Sequence, residues 1–130
     1  MSYLHQRLTE QIIKCFYEVY NQLGYGFLEK VYEHSMLIEL EKNGLYAQSQ
    51  VPVKVHYKGK LVGDYFADII VNDLIIVELK AAEAVAEEHE LQLINYLKAT
   101  EMEVGLLLNF GKKPEVRRKI FTSDKKKIAH

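Results

Sequence analysis

Apolar residues recur every three or four positions near the start of the chain, at Leu4, Leu8, Ile12, Phe16, Val19, Tyr20 and Leu23. Polar residues fill the gaps, so residues 3–23 are predicted to form an amphipathic helix laid on a core. Gly24-Tyr25-Gly26 stops it, and a second helix is expected over 27–42, closed by Asn43-Gly44. From Gln48 the period falls to two. Val51, Val53, Val55 and Tyr57 alternate with Pro52, Lys54 and His56, which predicts a strand ending at the Lys58-Gly59-Lys60 turn. A second strand is expected over 61–71, a turn at Asn72-Asp73 and a third strand over 74–80, giving an antiparallel meander. A helix over 86–99 and the continuous apolar run Val104–Phe110 follow. Such a run suits a strand buried on both faces, parallel to the third through a crossover. Residues 116–121 are expected as a short edge strand. The pattern as a whole predicts an α/β domain over residues 1–122 and a basic, flexible tail over 123–130 carrying Lys125-Lys126-Lys127.

Charge enters this apolar frame at one conspicuous place. In Ile75–Lys80, IIVELK, three strand-forming residues run into Glu78, Leu79 and Lys80. Alternation puts Glu78 and Lys80 on one face, where they are costly to desolvate unless paired. Taken alone, this is an ion pair at a strand end. Asp64 and Asp68 on the preceding strand are expected to share a face. A two-residue Asn72-Asp73 turn would set Asp68 opposite Val77, whereas a three-residue loop or a bulge would set it opposite Glu78. If the two carboxylates act together, the longer loop is required. Glu29 lies in the first turn of the second helix, where the dipole favours a carboxylate, and Tyr32 follows on the same side. His89, Gln92 and Tyr96 form a stripe on the third helix.

Composition narrows the chemistry. The 130 residues are 48% hydrophobic and 27% charged with net charge −1, so any nucleic-acid surface must be local. Its candidates are Lys54, Lys58, Lys60, the Arg117–Lys119 cluster and the lysine tail. The single cysteine, Cys15, excludes a disulfide framework and a cysteine-held iron–sulfur cluster, and is read as a small buried hydrophobe. No secretory or membrane-spanning pattern is present, so a cytoplasmic protein is expected.

Asp68, Glu78, Lys80 and Glu29 could thus meet at one end of the sheet. Hard divalent ions take oxygen ligands, and a bound Mg²⁺ can activate water and offset charge on a phosphodiester, with a lysine beside it. At this point the residues carry a resemblance. Asp68 followed by Glu78-x-Lys80 resembles the D-x(n)-E-x-K signature of the PD-(D/E)XK nuclease superfamily, with Ala67 in place of the proline. Gln92-Leu-Ile-Asn-Tyr96 resembles the Q-x-x-x-Y motif of its RecB-like branch. Gly26-Phe-Leu-Glu29-Lys-Val-Tyr32 is similar to the motif naming the GxxExxY proteins, as is the ending Gly105-Leu-Leu-Leu-Asn109-Phe110-Gly111. The resemblance implies a helix–three-strand–helix–strand core. It also implies Mg²⁺ or Mn²⁺ on Asp68, Glu78 and Glu29, Lys80 as catalytic base or phosphate partner, and Gln92 and Tyr96 near substrate. Tyr32, Lys58, Lys60, Arg117 and Arg118 are the expected nucleic-acid contacts. His89 and Asp64 match no position in it and are read as marginal and solvated. The implied activity is a metal-dependent deoxyribonuclease in DNA repair or processing, with a homodimer as one way to cover two strands. The alternative is an inactive nucleic-acid-binding or protein-interaction module on the same fold.

Overall fold

A computed structural model describes residues 4–126. Helices α1 (Gln6–Leu23) and α2 (Glu29–Lys42) lead into strands β1 (Ala47–Tyr57), β2 (Lys60–Val71) and β3 (Ile75–Lys80). Helix α3 (Glu87–Ala99), strands β4 (Val104–Phe110) and β5 (Pro114–Ile120) and a 3₁₀ turn at Ser123–Lys125 complete the chain. The sheet order is β1-β2-β3-β4-β5, antiparallel except where β3 and β4 run parallel across the α3 crossover. This is the expected architecture, with differences at element ends, α2 starting at Glu29 and β3 at Ile75 among them. The first helix begins at Gln6, because His5 takes a left-handed φ of 54°. The edge strand begins at Pro114, a position where the missing N–H costs no ladder bond. The expected tail starts with the ordered 3₁₀ turn, and the Lys126 ammonium donates to the Thr100 and Met102 carbonyls. Residues 127–130 of that tail lie outside the described residues, as does Tyr3 of the first predicted helix.

Two apolar clusters hold the sheet between its helices. One face packs Ile69, Val71, Ile75, Val77, Leu79, Leu106 and Leu108 beneath α1 and α2. The other packs Ile70, Ile76 and Leu107 against Leu93, Tyr96 and Leu97 of α3. Both faces of β4 are covered, and all seven of its residues are buried. Helix α3 lies so close to β4 that a Cβ on Gly105 would come within 2.6 Å of Leu93 Cδ1. On the α1/α2 side, Tyr32 stacks on Phe110 at 4.0 Å and Phe16 meets the same ring edge-on at 4.8 Å. Cys15 is buried as expected, and burial pushes its thiol up to about 11. Among the described residues no helix is long and apolar enough to cross a membrane.

Candidate active site

The β2–β3 hairpin fixes the site. Asn72 and Asp73 both take positive φ, 53° and 55°, and the Leu74 N–H closes the turn on the Val71 carbonyl at 2.9 Å. Leu74 is an extra residue, and pairing resumes at Val71↔Ile75, continuing through Ile70↔Ile76 and Ile69↔Val77. The loop is therefore three residues long, as the meeting of Asp68 and Glu78 requires, and the next step in this register sets those two residues opposite each other.

There the backbone ladder stops and the carboxylates replace it. The Asp68 N–H donates to Glu78 Oε2 and the Leu79 N–H donates to Asp68 Oδ2, both at 2.8 Å. Each side chain thus braces the other's strand where β2 and β3 part. Across on β1, Gln50 has φ 51° and does not pair with Asp68, although Ser49↔Ile69 and Val51↔Ala67 pair on either side. The kink breaks the alternation of β2. Ala67 packs towards α3, whereas Ile69 packs beneath α1 and α2. Strict face-sharing between Asp64 and Asp68 therefore does not hold. Asp64 lies opposite Lys54 on the exposed hairpin.

Burial dominates the electrostatics. Glu78 is 4% exposed, and desolvation, followed by the charge of Asp68, pushes its carboxyl up to about 8. Burial also raises Asp68, against the lowering effect of the Leu79 N–H, and Glu33, Glu29 and Lys80 all act on it. Lys80 favours the charged form of both acids without forming an ion pair to either. On α3, the Gln92 amide donates to the Tyr96 hydroxyl at 3.1 Å, joining the two across one helical turn. Tyr96 is buried, and desolvation with the charges of Glu78 and Asp68 raises its hydroxyl to about 12.

Several expected site residues have other work. Glu29 stands exposed at the start of α2, near enough to influence Asp68 and Glu78, but it does not complete a ligand set. Among the described residues no three His, Cys, Asp or Glu side chains are grouped to hold a metal. Tyr32 is completely buried and is not a nucleic-acid contact. Its hydroxyl donates to the Gly24 carbonyl at 2.8 Å and accepts from the Phe27 N–H at 3.2 Å, tying the interhelical loop. That loop needs Gly24 and Gly26 at positive φ, 68° and 107°. Both arginines make contacts within the fold. Arg117 pairs with Glu115 at 3.2 Å and Glu90 at 3.9 Å, and Arg118 donates to the Leu4 carbonyl. Lys58 and Lys60 are exposed at the β1–β2 tip, with Lys60 roughly 26 Å along β2 from Asp68 at about 3.3 Å per residue. His89 accepts the Ala86 N–H on Nδ1 and caps α3.

Glu33 was not legible as part of the site. It is 6% exposed and accepts from Gln50 at 2.7 Å and from Lys30 at 3.2 Å. The available signal was its spacing of four from Glu29, which puts both acids on one helical stripe. Asn109 is a second omission. Fully buried opposite Lys80, it exchanges hydrogen bonds with Ala82 at 2.9 and 3.0 Å and donates to Glu115 at 3.2 Å. Glu115 also accepts the Val85 N–H, so the segment after Lys80 is clamped to β4 and β5.

What these residues have in common is a pair of oxygen donors at the mouth of two diverging strands. No curated protein and no solved structure gives a match to this chain. A sequence model of the PD-(D/E)XK nuclease superfamily matches residues 6–119, from the first turns of α1 to the end of β5. The chain belongs to the PD-(D/E)XK nuclease superfamily.

Proposed function

We propose that this protein is a deoxyribonuclease of the GxxExxY group, in the RecB-like branch, hydrolysing DNA phosphodiesters with Mg²⁺ or Mn²⁺ in DNA repair or processing. The observation that carries the reading is the reciprocal bracing of Asp68 and Glu78. Each uses one carboxylate oxygen on a backbone N–H, and the other oxygen takes no hydrogen bond from any described residue. Two hard oxygen donors in a partly desolvated notch suit a hard divalent cation, which would also offset the cost of ionising both acids. The cation would be held by Asp68 and Glu78 and would supply Lewis acidity and an activated water. Lys80, half-buried at the end of β3, provides positive charge for the phosphate as its negative charge grows, or orients the attacking water. Gln92 holds the Tyr96 hydroxyl beside the carboxylates, giving the backbone a fixed polar contact. Asn109 and Glu115 set where Lys80 and α3 stand relative to β4.

A second reading draws on the same bonds. Asp68 and Glu78 close the end of a hairpin, which is reason enough for a fold to keep them, and a non-cleaving nucleic-acid-binding or protein-interaction module would need nothing more. The two readings separate on incubation with single-stranded, duplex and branched DNA, each with Mg²⁺, with Mn²⁺ and with chelator. Metal-dependent product from any substrate supports the nuclease. Retention of DNA that ignores metal, with no product, supports the module.

A further inference from the structure

Strand β3 ends at Lys80 while β2 reaches back to Lys60, so the β1–β2 hairpin overhangs the carboxylates. Between this overhang and α3 lies a recess of about 470 Å³. Val55 and Tyr65 line it from the hairpin, and Glu88, Gln92, Asn95 and Tyr96 from the helix. The Tyr65 ring is 48% exposed and sits 5.8 Å from the Tyr96 ring, tilted by 43°. Its position is built into the strand. Gly63 pairs with Val55, and a Cβ there would come within 2.9 Å of Tyr65 Cε2 and 3.3 Å of Val55 Cβ. The ring therefore lies over bare backbone, which any larger residue would take from it.

The lining also says what the recess would accept. It contains aromatic and aliphatic walls, two amides and a carboxylate, with no lysine or arginine, so it suits an uncharged planar group rather than a phosphate. Among the described residues Asn95 and Glu88 have no side-chain hydrogen bond, leaving an amide and an acceptor for the edge of such a group. The site carboxylates are close by, since Tyr96 packs in one buried cluster with Ala67 and Ile76, neighbours of Asp68 and Glu78 in sequence.

We propose that this recess is a nucleobase subsite that takes one unpaired base of a DNA strand, stacked on Tyr65 with Asn95 and Glu88 at its edge. A base inside an intact duplex has no free face to offer, so the subsite selects single-stranded DNA, a flap or a frayed end. The proposal rests on the nuclease reading for the nature of the ligand, yet binding and cleavage can be measured apart.

The test uses the full chain in chelator and single-stranded DNA carrying 2-aminopurine at successive positions, beside the matched duplex. Wild type should quench the fluorescence of at least one position in the single strand and none in the duplex. Tyr65→Ala should abolish the quench and weaken single-strand binding about five- to a hundredfold. Tyr65→Phe, which keeps the ring, should retain the quench. Wild-type quenching and affinity in Tyr65→Ala, equal effects on duplex, or no single-strand binding by wild type would each overturn the proposal. Cleavage with Mg²⁺ is scored separately. Tyr65-dependent quenching without any cleavage would leave the subsite standing and remove the nuclease reading. Cleavage by wild type, together with quenching and single-strand affinity that are indifferent to Tyr65→Ala, would do the reverse.

Discussion

Replacing Glu78 with glutamine should make the metal-free protein more stable at alkaline pH. In the folded chain this carboxyl titrates at about 8, against 4.5 for an ordinary glutamate. Between those values the folded state holds a proton that the unfolded state has released, so folding becomes less favourable with each step up in pH. The stabilising contribution of the neutral acid is complete below 4.5 and is lost as pH rises through about 8. At 1.36 kcal/mol per tenfold in proton affinity, the loss is on the order of 5 kcal/mol. For a chain of this size that corresponds to roughly 10–20 °C in Tm. Glutamine is neutral throughout, and its amide oxygen can still accept the Asp68 N–H that Glu78 Oε2 now takes. Thermal melts of both proteins in chelator across pH 4.5 to 9 should therefore converge at the acid end and separate at the alkaline end, with Glu78→Gln the higher. Parallel melting curves, or a wild type that gains on the variant as pH rises, would refute the account of a buried, desolvated carboxyl.

Other substitutions probe its neighbours. Asp68→Asn should also raise Tm without metal at neutral pH, because burial raises this carboxyl too, and should lose most of the thermal stabilisation that Mg²⁺ or Mn²⁺ gives wild type. Lys80→Ala should lower cleavage by roughly a hundredfold or more with little change in Tm, since the ammonium forms no ion pair among the described residues whose loss would unfold the chain. Tyr32→Phe should cost about 1–2 kcal/mol in urea unfolding by untying Gly24 from Phe27, while DNA affinity stays at the wild-type level, as expected of a buried residue. Asn109→Ala should cost about 2–4 kcal/mol, because it strands both polar groups of Ala82.

Much of this could be read from residue order. The seven-residue apolar run at Val104–Phe110 was legible as a strand covered on both faces because nothing polar interrupts it before Asn109. The three-residue loop after Val71 followed from asking what register brings Asp68 to Glu78. Where reading failed, the cause was tertiary. Glu33 looks like any helical surface acid until Gln50, in a left-handed conformation on β1, delivers an amide to it. Tyr32 carries a hydroxyl that a loop carbonyl and N–H satisfy, so an apparent contact residue became core. The pairing of Arg117 and Lys119 with Glu90 was hidden as well, because that acid lies on α3, far away in sequence. The kink at Asp68 is invisible to alternation, which assumes an extended strand throughout.

If Asp68 and Glu78 together hold the metal, both should be needed for hydrolysis of DNA. Wild type and Glu78→Gln, purified in parallel, can be compared for product formation from labelled DNA under a Mg²⁺ titration. Cleavage should rise with Mg²⁺ in wild type, vanish in chelator and fall by orders of magnitude in the variant. Cleavage by Glu78→Gln at the wild-type rate would contradict this.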